Sequence, residues 1–416
     1  MTAVLVWSIA VGTIAGILFR PKEWPEAVWA CLGAILLVLC RLLSPQAAGR
    51  AIGKGTDVYL FLAGMMLLAE LARHEGVFDW LASHAVRASR GSRTRLFMLV
   101  YTVGILVTVF LSNDATAVVL TPAVYAAVKK AGTEALPYLL SCAFIANAAS
   151  FVLPISNPAN LVVYGKQLPA LIPWLKLFLL PSLVSIAVTF LVLRLLSNRE
   201  LRGKVEDDVE VPELSSEGLR AAWGIAFAGG ALITASALGV GLGLPTCAAA
   251  VAAVLIATRA NRNAIKAVVG AVSWSVLPLV AGLFVLVEAL DGVGALRGIG
   301  TAIQTCSTLP PFAGSLSASF GIAVLSNLMN NLPSGLLTGS ALQAGHFPDH
   351  IRHAILIGVD LGPNLSVTGS LATVLWLIAL RREGEHVSAW TFLKVGAFVM
   401  PPALLLATAA IVFGPA

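Results

Sequence analysis

The sequence predicts an all-α polytopic membrane protein built from two inverted-topology repeats of about five transmembrane helices. Each repeat is expected to carry one re-entrant hairpin and one broken helix. Three observations lead there. The 416-residue chain is 58% hydrophobic and only 12% charged, with mean hydropathy +0.89, whereas soluble domains carry about 25% charged residues. Its apolar motifs recur at a nearly constant offset, and polar knots interrupt the apolar runs at matching places in both halves.

A spanning helix needs about 20 apolar residues. In the first half the runs at 2–19, 26–43 and 57–73 come close to that, followed by an interrupted stretch at 136–165 and a run at 172–196. Residues 96–111 and 115–129 are two shorter arms meeting at Asn113-Asp114, the pattern of a hairpin that enters and leaves by one face. The second half offers crossings at 220–239, 245–259 and 274–290, a hairpin at 314–344, an interrupted stretch at 351–382 and a run at 390–413. Stretches 77–93 and 294–308 read as interfacial helices feeding the hairpins. The first run has no basic stretch ahead of it and a counterpart later in the chain, so it reads as a span and not as a cleaved leader.

The repeat shows in the letters. "FLAGMMLLAEL" (61–71) matches "LVAGLFVLVEA" (279–289), which pairs Gly64 with Gly282 and Glu70 with Glu288 at an offset of 218. "NDATAVVLT" (113–121) matches "NNLPSGLLT" (330–338) at 217, and "NAASFVLPISNPAN" (147–160) matches "DLGPNLSVTGSLAT" (360–373) at 213. One repeat thus spans 1–198 and the other 220–416, joined by a polar, acidic linker at 199–219. Five crossings per half would invert the second against the first. The positive-inside rule tests this: one side collects 20 of the 27 basic residues and the other 7. The basic side is read as cytoplasm, with the linker there and both termini outside. Two inverted halves with broken helices are the architecture of a secondary transporter.

Irregular backbone at membrane depth survives only when buried in protein or lining a wet cavity. Four such places stand out: the hairpin tips, at Ser112, Asn113, Asp114 and Thr116 and at Asn327, Asn330 and Asn331, and the breaks at "PISNPAN" (154–160) and "GPNLSVTGS" (362–370). Asn157 before Pro158 is a helix cap in waiting, as are Thr368 and Ser370. Amides and hydroxyls both donate and accept, and none of the four breaks holds Arg or Lys. The expected guest is therefore small, oxygen-rich and neutral or cationic. Asn113, Asp114, Thr116, Asn147, Asn157, Asn330, Asn331, Asp360, Thr368 and Ser370 form the expected binding set. An intramembrane Asp costs roughly 3 kcal/mol, which makes Asp114 and Asp360 the expected proton-coupling groups. No catalytic set, resident metal site or cofactor is expected. The five cysteines form no CxxC and read as packing residues. His346, Asp349, His350 and His353 fall in a predicted external loop. Nothing points to nucleic acid.

"FLSNDATAVVLTP" (110–122), "NNLPSGLL" (330–337) and especially "DLGPNLSVTGSLATVLWLIALRREG" (360–384) resemble the ArsB-type arsenite/antimonite efflux permeases of the ion-transporter superfamily, over nearly the whole chain. The resemblance implies export of trivalent arsenic and antimony hydroxides across a bacterial inner membrane, driven by proton entry, with optional partnership with a soluble ArsA-type ATPase. Sodium-coupled carboxylate carriers of that superfamily typically read Ser-Asn-Thr at their tips, where this chain has "SND" and "NNLP". The rival readings are a sodium/proton antiporter or sodium-coupled anion carrier, a passive channel for neutral solutes, and an intramembrane aspartyl hydrolase using Asp114 and Asp360.

Overall fold

Every regular element of the computed structural model, which describes residues 2–206 and 211–414, is a helix. The first half runs α1 (Thr2–Phe19), α2 (Glu26–Leu39), α3 (Pro45–Lys54), α4 (Thr56–His74), α5 (Val77–Ala88), α6 (Arg93–Phe110), α7 (Asn113–Ala115), α8 (Thr121–Lys130), α9 (Leu136–Ala148), α10 (Pro158–Tyr164) and α11 (Leu171–Leu196). The second repeats that order: α12 (Ser216–Ala237), α13 (Gly243–Ala257), α14 (Arg262–Ala271), α15 (Val276–Gly292), α16 (Ala295–Ser307), α17 (Pro311–Met329), α18 (Asn331–Ala344), α19 (Asp349–Leu361), α20 (Leu371–Arg382) and α21 (Ala389–Phe413). Helix α18 stands where α7 and α8 stand in the first half.

Six helices (α1, α6, α11, α12, α17 and α21) are long and apolar enough to cross a membrane. Two bent pairs add to them, α3 with α4 at 51° and α14 with α15 at 41°. The short helices α3 and α14 were not legible as separate elements. They are amphipathic, each starts on a capping side chain (Ser44 and Asn261), and each turns the chain before the longer helix begins. The hairpin arms are also longer than expected: α6 has 18 residues and α17 has 19.

The halves interlock through close helix crossings. A side chain at Gly64 would meet the backbone of Thr246 on α13 at 2.7 Å, and one at Gly282 would meet the backbone of Ala30 on α2 at 2.8 Å. The matched glycines therefore do the same job, letting the third crossing of each half lie against the second crossing of the other. The helices of each such pair start at the same end. The Asp57 carboxylate, at the start of α4, accepts from the Gly243 N–H at the start of α13 (2.9 Å), and Cys31 of α2 lies 3.7 Å from the Pro278 carbonyl of α15. Helices α11 and α21 pack in the opposite sense, since Gly414, just past α21, lies beside Leu180 in the first half of α11.

Helix α9 is mostly apolar, and every residue from Pro137 to Ala148 is buried; a helix buried on all sides belongs in a core. Phe144 stacks on Phe392 at 4.8 Å, and Trp376 closes on the same ring at 5.7 Å. Leu183, Leu195, Trp223, Phe227 and Phe398 stay more than half exposed on the outside of the bundle, the face a lipid-embedded protein presents.

The first residues of the linker are docked, not free. The Arg93 guanidinium donates to the carbonyls of Lys204 (3.0 Å) and Glu200 (3.2 Å), and the Val205 and Glu206 N–H groups bond to Gly91 and Ala131. Leu201 and Val205 are buried. Residues 197–206 thus strap the base of the first hairpin.

Candidate functional site

Each hairpin tip is made by a capping side chain. Ser112 accepts from the Ala115 N–H at 3.1 Å and starts the second arm of the first hairpin. Asn330 accepts from the Leu332 N–H at 3.3 Å and starts α18. Behind each tip one hydroxyl pair bridges the two arms: Thr108 to Thr116 at 2.8 Å, and Ser326 to Ser334 at 2.8 Å. Caps and bridges agree on an offset of 218, one more than the letters suggest. Asn113 therefore stands where Asn331 stands, and Asp114 where Leu332 stands. The expected partnering of Asp114 with Asn331 is shifted by one residue, because an alignment of letters favours the shared Asn-initial run over the cap. Asp114 has no polar counterpart.

After the first tip the chain winds as a π-helix over Thr116–Leu120, and the Thr121 hydroxyl satisfies the Thr116 carbonyl at 3.1 Å. Pro122 has no N–H to give the preceding turn, so a wide turn there is cheap; such bulges recur at functional sites.

The two broken helices cross each other at the centre. Helix α10 restarts on Asn157, whose side-chain oxygen accepts from the Ala159 N–H (3.0 Å), with Pro158 in first place. Helix α20 restarts on Ser370, which exchanges bonds with Thr373. These caps are equivalent at offset 213, as are the expected pair Asn147 and Asp360. The halves are then tied across: Asn157 donates to Asp360 at 2.8 Å, and Asn147 donates to Asn364 at 3.0 Å. Asn364 in turn donates to the Phe144 carbonyl. Each hairpin is fastened to the broken helix of its own half. Ser156 donates to the Val109 carbonyl at 3.1 Å; Asn327 donates to the Gly362 carbonyl at 2.8 Å and receives Ser366 at 2.6 Å, while Thr368 donates to its carbonyl at 2.9 Å.

All four breaks therefore belong to one hydrogen-bonded unit, but the expected residues divide within it. Thr116, Asn147, Asn157, Asp360, Thr368 and Ser370 are engaged inside the protein. Asn113 and Asn331 are almost fully buried, and no hydrogen bond joins them among the described residues. Asp114 differs from all of these. It is only partly buried, has no ion-pair or hydrogen-bond partner for its carboxylate among the described residues, and lines a cavity of about 80 Å³ with Glu70, Ser112, Met65 and Ser273. Glu70 is taken up by Arg73, which grips both its oxygens. Asn330 lines a different, smaller space with Glu26 and Leu371.

The cavity beside Asp114 has a counterpart at the equivalent place, lined like it by residues of both halves. At the α3–α4 junction a vestibule of about 940 Å³ is lined by Arg50, Lys54, Asp57, Glu288, Ser340 and Gln343. Glu70 and Glu288 hold equivalent places in the two cavities, yet one is small and the other wide. Lys54 pairs with Glu288 at 2.6 Å. Sequence reasoning missed Asn364, Ser366 and the two hydroxyl bridges. A lone amide after Gly-Pro, and hydroxyls spaced eight apart, carry no signal until the chain is folded.

The matches to known proteins run through these elements. The family profile described as citrate transporter (CitMHS) matches residues 14–358. The chain is 26% identical to the arsenical pump membrane protein of Escherichia coli K12 over 428 residues, and 26% identical to that of Yersinia enterocolitica over 429, covering 98% of each partner both times. It is 25% identical to an uncharacterized transporter of Mycobacterium tuberculosis over 420 residues, at 97% of this chain and 96% of that one. Among solved structures, the YdaH transporter of Alcanivorax borkumensis superposes with a TM-score of 0.57 at 16% identity over 88% of both chains, a likeness of fold. The expected kinship with ArsB-type permeases holds. Because the profile match takes in both hairpins and the first broken helix as well as the frame around them, the chain belongs to the citrate transporter family of membrane proteins.

Proposed function

We propose that the chain is a secondary transporter that exports trivalent arsenic or antimony hydroxides from the cytoplasm in exchange for protons. The relatives named as arsenical pump proteins support the solute, as does a central unit furnished with amides and hydroxyls and free of Arg and Lys. The observation that carries the mechanism is the Asp114 carboxylate, which has no partner among the described residues, sits on a hairpin tip and faces a small cavity. A carboxylate so placed can exchange a proton with the cavity it faces and meet a solute at the same tip.

The parallel pairing of α4 with α13 and of α2 with α15 supports inverted halves: the third crossing of one half runs with the second crossing of the other only if the halves are opposed. The unequal cavities then mark one state of alternating access. The 940 Å³ vestibule is the outward mouth and the 80 Å³ cavity at Asp114 the closed inward one. In the cycle, the Asp114 carboxyl releases its proton inward as the solute binds at the tips, and regains one from outside after the solute leaves. The protein lies in the plasma membrane with both termini outside. An ATPase partner of the ArsA type would meet the cytoplasmic face that carries residues 197–206.

One observation favours a second reading. Arg50, Lys54 and Lys166 outnumber Asp57 and Glu288 in the vestibule lining, where Lys54 is paired with Glu288, a setting for an anion in sodium-coupled transport. Everted vesicles separate the two. Antimonite accumulation that follows an imposed pH gradient, ignores sodium and disappears in Asp114→Asn supports export. Sodium-dependent citrate uptake with no antimonite flux would overturn it.

A further inference from the structure

Besides the cavity at Asp114 and the smaller space at Asn330, a third space of about 170 Å³ lies where α1 ends and where α2 and α15 begin. It shares Val276, Leu371 and Leu375 with the first, and Glu26, Leu279 and Leu371 with the second. Leu371, at the restart of the second broken helix, lines all three. The third space therefore borders the spaces at both hairpin tips. It holds far more than a single water, which needs about 10–15 Å³ on this measure.

One ion pair stands in its wall. Arg20 Nε lies 3.2 Å from Glu26 Oε1. The two atoms do not align into a hydrogen bond, and both are buried without a hydrogen-bond partner among the described residues. Glu26 is only 9% exposed. Arg20 also opens a loop in which it, Lys22 and Glu23 take φ of 47°, 59° and 58°. Left-handed backbone is uncommon in residues with a Cβ, and where the fold enforces it, it gathers at functional sites.

A buried ion pair offsets its desolvation only with good geometry and further hydrogen bonds. This pair has neither, so it is a weak closure that a better partner can part. The Glu26 carboxylate accepts and the Arg20 guanidinium donates. A hydroxylated solute answers both, giving an O–H to one and an oxygen to the other. An anion would be repelled by Glu26 and a cation by Arg20, so the pair selects for a neutral guest.

We infer that Arg20 and Glu26 form a loading site for the small neutral hydroxide, reached before either hairpin tip and on the inward side of the cycle above. As the solute arrives the pair parts. Glu26 accepts from one hydroxyl, Arg20 donates to another, and the solute moves on past Leu371 and Leu375 to Asp114. The guest rests on the export reading; the site adds two charged residues that the hairpins and breaks do not supply.

Everted vesicles present this face to the medium. Antimonite uptake driven by an imposed pH gradient is followed over a concentration series in wild type, Glu26→Gln, Arg20→Gln and Ser275→Trp. A hydrogen bond to a charged group is worth about tenfold or more in affinity, so each charge variant should raise KM about tenfold with Vmax held. Ser275→Trp touches neither charge and narrows the space from an exposed position on its wall. It should raise KM too, and it keeps the test decisive if a charge variant folds poorly. In right-side-out vesicles with the gradient reversed, KM should stay at the wild-type value in all three. An unchanged KM in everted vesicles overturns the loading site. So does an equal rise from both faces, or a fall in Vmax with KM intact, either of which gives the pair a structural role. Wild-type vesicles without antimonite flux remove the export reading and this site with it, whereas normal wild-type flux with normal KM in the variants removes the site alone.

Discussion

Asn330 sits at φ 77° and ψ 150°, a region that residues with a Cβ rarely adopt and that costs of order 1–3 kcal/mol. Its side chain offsets part of that by capping α18. Asn330→Gly should therefore leave the unfolding midpoint nearly unchanged, whereas Asn330→Val should lower stability by about 1–3 kcal/mol; calorimetry in detergent distinguishes them. A Val that matched Asn in stability would show that the tip is relaxed. The hydroxyl bridges make a second prediction at this scale. Ser334→Ala leaves the buried Ser326 hydroxyl short of one partner, and a lost buried hydrogen bond costs about 1–3 kcal/mol. Thr116→Ala in the first hairpin should cost a similar amount and leave solute affinity alone, because that hydroxyl staples the arms and does not face the Asp114 cavity. Antimonite affinity that fell with Thr116→Ala would return Thr116 to the binding set.

The helices are placed by what they can approach. Gly64 and Gly282 each face backbone at under 3 Å from a built Cβ, so Gly64→Leu or Gly282→Leu should force α4 or α15 off its partner and reduce folded yield, measurable by size-exclusion chromatography. Bulk at Gly12, where nothing lies within 4 Å, should be tolerated. The docked strap gives another element-scale expectation. Arg93 holds several linker carbonyls at once, so Arg93→Ala should expose residues 197–206 and speed their cleavage by a protease added to the face that carries them. An unchanged cleavage rate would mean that Leu201 and Val205 hold the strap by burial alone.

At the scale of the whole molecule the unequal cavities make the strongest claim. In a background without the native cysteines, Ser340→Cys should react quickly with a membrane-impermeant thiol reagent added outside, and Ala115→Cys, which lines the Asp114 cavity and is buried, slowly with the same reagent added inside. Antimonite together with an inward pH gradient should reverse that order as the transporter cycles. Both positions reacting from one face would refute opposed halves. The chemistry of the guest also belongs to this scale. Neutral hydroxides suit the central unit, while the basic vestibule suits anions, so the vesicle experiment tests the molecule as a whole and not any one residue.

The helical class, the apolar helices and the four breaks were written in the chain itself. Composition decides solvent, and a side-chain-capped restart such as Asn157 before Pro158 marks a break wherever the fold puts it. The hairpin register was off by one, since the true marker is a side-chain cap and a hydroxyl bridge whose partners lie on opposite arms. The division of the polar residues was beyond reach for the same reason. Asp114 and Asp360 look alike as letters, both short acids in apolar surroundings. Only tertiary packing left one facing a cavity and enclosed the other among amides from the opposite half, because hydrogen-bond partners more than 200 residues apart are chosen by the crossing of helices and not by local sequence.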